Sequence, residues 1–124
     1  MKPAQNYTIL IVDDIADNLL LMQLFLEPEG YQVEVASSGN TAIAKIEASL
    51  PDLVLLDVMM PDMNGLEVTQ RLRENSSFLS LPIVLITANQ EIDFEQAREV
   101  GANDLICKPV DMDELLSRIS IWCY

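Results

Sequence analysis

Leu53-Val54-Leu55-Leu56-Asp57-Val58-Met59-Met60-Pro61-Asp62-Met63-Asn64-Gly65 is the stretch on which the reading of this chain turns. Four apolar residues run without alternation into a carboxylate, the pattern of a strand buried on both faces of a parallel sheet. Past Asp57 the chain breaks at Pro61 and at Asn64-Gly65, a strong turn signal. Asp57 therefore falls where a buried strand meets solvent, on the carboxyl edge where open α/β sheets place their chemistry. A cap or a turn would explain one such aspartate, so the other strands have to decide.

Residues 7–12 form a β-branched apolar run that ends at Asp13-Asp14 and reads as a first strand. A helix follows, with Asp17 or Asn18 as its cap and Leu20, Leu21, Leu24 and Phe25 expected on its packed face, stopped by Pro28 and Gly30. Residues 32–36 alternate polar and apolar, as an edge strand does. Residues 39–49 read as a helix burying Ala42, Ile43 and Ile46, and residues 65–75 as another, with Arg71 and Arg73 placed to suit its dipole. Residues 82–87 form a second buried strand, residues 93–100 a mostly polar helix ended by Gly101, and residues 105–107 a fifth strand running into Lys108-Pro109. A last helix starts at Asp111 or Asp113 and buries Leu115, Leu116, Ile119 and Trp122. Five β-then-α units predict an α/β fold: a flavodoxin-like, doubly wound, five-stranded parallel sheet of order 2-1-3-4-5 with five helices on both faces.

The totals narrow the function. At 124 residues the chain is expected to be one domain spanning 1–124. The net charge is −13, from 20 acidic and 7 basic residues, which argues against direct nucleic-acid or anionic-membrane binding. No apolar run is long enough to span a bilayer, and residues 1–6 have no signal-peptide core, so a soluble, cytoplasmic chain is expected. Cys107 and Cys123 match no metal or redox spacing and are expected to be free thiols, Cys107 as a small buried hydrophobe. Histidine is absent, which removes Ser-His-Asp and Cys-His pairs, His-rich metal sites and a phosphohistidine on this chain.

In the order 2-1-3-4-5, Asp13 and Asp14, Asp57, Thr87 and Lys108 all emerge at the same edge, from neighbouring strands. Each alone has a dull explanation, but the coincidence of all five favours a site. Three carboxylates in one pocket repel each other. Mg²⁺, which takes carboxylates and waters in an octahedron, relieves that repulsion, and with Lys108 the charges sum to about zero. Such a pocket can accept a phosphoryl group, whose transfer needs mainly neutralisation and alignment. A carboxylate nucleophile can form an acyl phosphate.

The chain resembles the receiver domain of two-component response regulators along its whole length. The resemblance rests on Asp13-Asp14, the Asp57–Gly65 stretch, Thr87-Ala88 and Lys108-Pro109. It implies that Asp57 accepts phosphate from the phosphohistidine of a sensor histidine kinase or a histidine phosphotransfer protein. It further implies that Asp13, Asp14, Asp57 and the Met59 backbone carbonyl hold Mg²⁺. Thr87, Ala88 and Lys108 would engage the phosphoryl group, Thr87 as the switch. Pro109, after a cis bond, and Gly65 would be structural, and Met59 and Asn89 would line the pocket mouth. Such a domain assists its own phosphorylation and is not otherwise an enzyme. Its expected read-out is the face of helix 4, strand 5 and helix 5, including Asp93, Glu95, Arg98, Asp104 and Arg118. That face would meet a downstream target, an attached output or kinase domain, or a second copy in a homodimer. Residues 121–124 lean toward a receiver excised from a larger protein or toward a partner contact. Leu105 departs from the family pattern, which often has an aromatic residue there.

Other classes fit less well. A haloacid-dehalogenase-type phosphatase carries Asp-x-Asp after its first strand, which Asp13-Asp14 is not. Two carboxylates there would repel a flavin phosphate. A degenerate receiver that only binds proteins is the alternative, with Leu105 as its one sign.

Overall fold

The computed structural model describes residues 7–123; the readings that rest on residues 1–6 and on Tyr124 lie outside them. Strands β1 (Thr8–Val12), β2 (Gln32–Ala36), β3 (Leu53–Asp57), β4 (Ile83–Thr87) and β5 (Asp104–Cys107) alternate with helices α1 (Ala16–Leu26), α2 (Gly39–Ala48), α3 (Gly65–Arg73), α4 (Phe94–Glu99) and α5 (Met112–Trp122). All strand pairs are parallel, in the order β2-β1-β3-β4-β5. Every residue of β3 and β4 is buried, whereas in β2 only Ala36 is, so the sequence alternation correctly marked β2 as the edge.

Period-two geometry divides the core between the two sheet faces. Leu10, Val12, Val54, Leu56, Ile83 and Leu85 pack with Ala42 and Ile46 of α2, Val68 and Leu72 of α3 and Ala97 of α4. Ile9, Ile11, Leu53, Leu55, Val84 and Ile86 face the other way, against Leu19, Met22 and Leu26 of α1 and Leu115 and Ile119 of α5. Four helix starts are fixed by side chains: Ser38, Asn64, Asp93 with Gln96 in a capping box, and Asp111. Gly101 ends α4 at φ +103°, beside the Arg73 side chain that a Cβ would strike.

Three sequence expectations are corrected. Helix α1 begins after Ile15, which makes no side-chain cap bond; Asp17 and Asn18 lie inside the helix. Its packed stripe is Leu19, Met22 and Leu26, while Leu20, Leu21 and Leu24 are 54, 56 and 62% exposed and Phe25 is only partly buried. The segment is apolar around most of its circumference, so spacing alone did not single out the packed side. Cys107 is exposed and Cys123 is the buried thiol, because β5 ends with Cys107 facing away from the core. Smaller shifts move Leu116 and Trp122 to the half-buried margin of the core.

Arg73 does more than sit near a dipole. Its Nε donates to the Gly101 carbonyl at 2.9 Å, and its two Nη atoms donate to the carbonyls of Phe78 and Leu81 and to Asn103 Oδ1. One planar fork thus ties the end of α3 to the entries of β4 and β5. Burial pulls its pKa down, and four acceptors hold the charge in place. Arg73→Ala should destabilise the fold by about 2–3 kcal/mol in urea melts, and Arg73→Lys should recover only part, because a point charge cannot satisfy acceptors on three segments.

Candidate functional site

At the carboxyl edge of the sheet, three strand ends turn by the same local device. Asp13 Oδ1 accepts from the Ile15 N–H at 2.9 Å, Asp57 Oδ1 from the Met59 N–H at 3.1 Å and Thr87 Oγ1 from the Asn89 N–H at 2.9 Å. Each is an i→i+2 side-chain-to-backbone bond of the kind that lets Asp and Thr close turns. One oxygen of each aspartate is thereby fixed to its own loop, and the other is left for neighbours.

Those second oxygens converge. Asp57 Oδ2 lies 3.3 Å from Lys108 Nζ, and Asp13 Oδ2 lies 3.7 Å from the same nitrogen. Asn18 Nδ2 also donates to Asp13 Oδ2, at 3.0 Å. Asp13, Asp14 and Asp57 each offer an oxygen within 4.8 Å of the others, an all-oxygen set of the type that suits Mg²⁺. Asp13 and Asp57 are 6 and 5% exposed, while Asp14 is open to solvent. Thr87 is buried, two strands from Asp13, in register with Cys107 and therefore beside Lys108. The Lys108-Pro109 bond is cis, as expected. Ala88 and Met59 are exposed on the loops that follow.

Burial pushes the Asp57 carboxyl above the ordinary carboxylate range, and the nearby Asp13 charge adds to this; the Met59 N–H and Lys108 pull the other way. Gly65 guards the geometry from behind. A Cβ there would lie 2.7 Å from the Asp57 carbonyl oxygen and 2.9 Å from Val58 Cα, so α3 can start this close to the loop only at glycine.

Two contributors were missed by the sequence reading. Asn18, read as a cap, serves Asp13 instead. Asp62 accepts from the backbone N–H groups of Gly39 and Asn40, each at 3.2 Å, and so closes the start of α2 from the loop after β3. Those bonds hold its carboxyl below the usual range, outweighing desolvation. No local motif announced that contact, since Asp62 and Gly39 are 23 residues apart. A cavity of about 300 Å³ opens beside Asp13, Asp57 and Lys108 and continues over Leu21, Met22 and Val110.

The sheet order and the edge site define a doubly wound α/β domain of the flavodoxin-like class. Within that class the profile of the response regulator receiver domain matches residues 9–120, and the chain belongs to that family. It is 43% identical over 112 residues to the response regulator PleD of Caulobacter vibrioides, covering 90% of this chain and 25% of PleD. It is 38% identical over 124 residues to an uncharacterized 14.6 kDa protein of Leptolyngbya boryana, covering 99% of this chain and 95% of that one. Among solved structures, the response regulator TrrA of Thermotoga maritima, in complex with Mg²⁺-BeF, aligns with a TM-score of 0.84 at 30% identity over 94% of this chain and 98% of its own. The chain spans only a quarter of PleD. Among the described residues, no helix is long and apolar enough to cross a membrane.

The raised Asp57 pKa has a stability consequence. Over the window between the ordinary carboxylate value and the raised one, the native state holds a proton that the unfolded chain has released, so stability falls as pH rises through it. Without divalent metal, Asp57→Asn should therefore raise Tm at neutral pH. The gain should fade as pH drops below the ordinary carboxylate range, where Asp57 is protonated in both states; thermal melts in chelator across pH measure both.

Proposed function

We propose that the chain is a phosphorylation-dependent switch of a cytoplasmic two-component system, in which Asp57 accepts a phosphoryl group from the phosphohistidine of a sensor histidine kinase or histidine phosphotransfer protein. The observation that carries this is the convergence of Asp57 Oδ2 and Asp13 Oδ2 on one ammonium group inside a cluster of three carboxylates. An Asp57 oxygen attacks phosphorus, a P–O bond forms, and the P–N bond breaks with its electron pair leaving on the imidazole. The Met59 N–H and Lys108 favour the ionised carboxylate against the opposing effects of burial and Asp13.

Asp13, Asp14, Asp57 and the Met59 carbonyl would hold Mg²⁺, which supplies charge neutralisation for the acids and the phosphoryl oxygens. Lys108 stays within reach of the same oxygens. Thr87 accepts a bond from Asn89 but keeps its own O–H to donate, and the Ala88 N–H is the adjacent donor. Leu105 is half-buried against the core, so rearrangement at Thr87 is relayed by aliphatic packing without a ring. The read-out face is that of α4, β5 and α5, where Arg118 already pairs with Asp104 and Glu114 of its own chain. A downstream target, an attached domain or a second copy would meet that face. Within 1–124 we assign a single receiver domain.

Incubation with acetyl phosphate and Mg²⁺ should give a labile phosphoryl adduct by mass spectrometry, lost in Asp57→Asn and in chelator. Persistent absence of an adduct with every donor would instead make the chain a protein-binding module. Leu21 of α1 is exposed and lines the cavity at the site, which is where a protein donor has to land. Leu21→Asp should slow transfer from a phosphohistidine protein by about tenfold or more, one buried anchor's worth, while leaving labelling by acetyl phosphate unchanged; comparing the two donors checks it.

A further inference from the structure

We propose that Asn18 is a positioning residue that decides how the one ammonium group of the site is shared, by occupying Asp13 Oδ2 so that Lys108 stays with Asp57. The inference rests on the reading of Asp13 and Asp57 as part of a Mg²⁺-dependent phosphoacceptor site. Lys108 Nζ stands between two carboxylates, 3.3 Å from Asp57 Oδ2 and 3.7 Å from Asp13 Oδ2. The competing oxygen of Asp13 is the one that Asn18 Nδ2 donates to, at 3.0 Å, while the other oxygen is taken by the Ile15 N–H. With both oxygens engaged, Asp13 does not have to draw on Lys108 for hydrogen bonds.

A helix role does not account for Asn18. Its side chain donates away from the helix, its own N–H donates to the Ile15 carbonyl at 3.0 Å, and α1 has no side-chain cap. Asparagine is a poor helix former, so an aliphatic residue would serve α1 better. Its chemistry suits Asp13, however. A neutral amide donates a hydrogen bond without adding a positive charge that would oppose a cation, and an aspartate in its place would add a fourth negative charge. Asn18 also lines the cavity that contains Asp13, Asp57 and Lys108. Remove the amide, and the nearest remaining donor for Asp13 Oδ2 is Lys108. The Asp13 carboxylate then turns toward the lysine, away from the other acids, and Asp57 loses its partner.

Asn18→Leu tests this, since it keeps the branched outline of the side chain, removes the donor and favours the helix. Calorimetric titration of the intact chain with Mg²⁺ should show affinity about tenfold to a hundredfold weaker, the usual cost of losing a hydrogen-bond partner of a metal ligand. Circular dichroism and Tm should not fall. The Mg²⁺ concentration giving half the maximal rate of acetyl phosphate labelling should rise by the same factor. Asn18→Gln, with the same amide on a longer arm, should recover part of the affinity. Unchanged Mg²⁺ affinity in Asn18→Leu would overturn the role of Asn18. So would a fall in Tm, which marks a merely structural residue. A wild-type chain that binds no Mg²⁺ at all would instead overturn the reading of the site itself.

Discussion

Placing two nearly buried carboxylates against a single ammonium group is the constraint that organises this molecule. In water, charges a few ångströms apart interact weakly, but at a partly desolvated strand edge the same separation carries several times the energy. Asp57 feels this directly: burial and Asp13 push its proton on, while the Met59 N–H and Lys108 push it off. The site is therefore strained electrostatically in its free state, and anything that brings positive charge relieves it. If Asp57 is the phosphoacceptor as proposed, it stays unreactive until charge is balanced, which is a useful property in a switch.

Holding such a site requires a stiff support, and the fold supplies it from three sides. β3 and β4 are buried end to end, so Asp57 and Thr87 cannot drift without disturbing both core layers. Gly65 brings the start of α3 against the Asp57 backbone. Asp62 then fastens the intervening loop to the first two amides of α2, while Ser38 takes the third, so the start of that helix is shared between its own cap and the loop after β3. Loop 58–64 is thus pinned at both ends, although its tip is exposed.

Most of this was legible in the chain because burial leaves a compositional trace. Uninterrupted apolar runs marked β1, β3 and β4, one alternating run marked the edge, and polar residues at the strand ends marked where Asp13, Asp57 and Lys108 converge. What escaped was information that no local pattern carries. Helix α1 is apolar nearly all round, so its packed stripe depends on which strands lie beneath it. Cys107 lies one residue before Lys108, and the strand's alternation, once anchored by buried Asp104 and Ile106, turns it outward. Asn18, Asp62 and Arg73 act across the tertiary structure, and their partners lie 5, 23 and up to 30 residues away.

The two sides of the site differ in how firmly they are held. The edge toward α2 is locked by Asp62 and by Gly39 against Met63 and Val68, so displacement there would break a helix cap and a close packing contact together. Toward α4 the constraints are weaker. Thr87 is tied to its loop by one hydrogen bond, α4 is only six residues long, and Leu105 is half-buried rather than sealed in the core. A short helix stabilised by one capping box and few buried side chains belongs to the low-stability end of a structure. If Asp57 is phosphorylated as proposed, the Thr87 hydroxyl has a new acceptor and the element free to respond is the β4–α4 segment. The asymmetry of stiffness, more than any single switch residue, then gives the signal its direction.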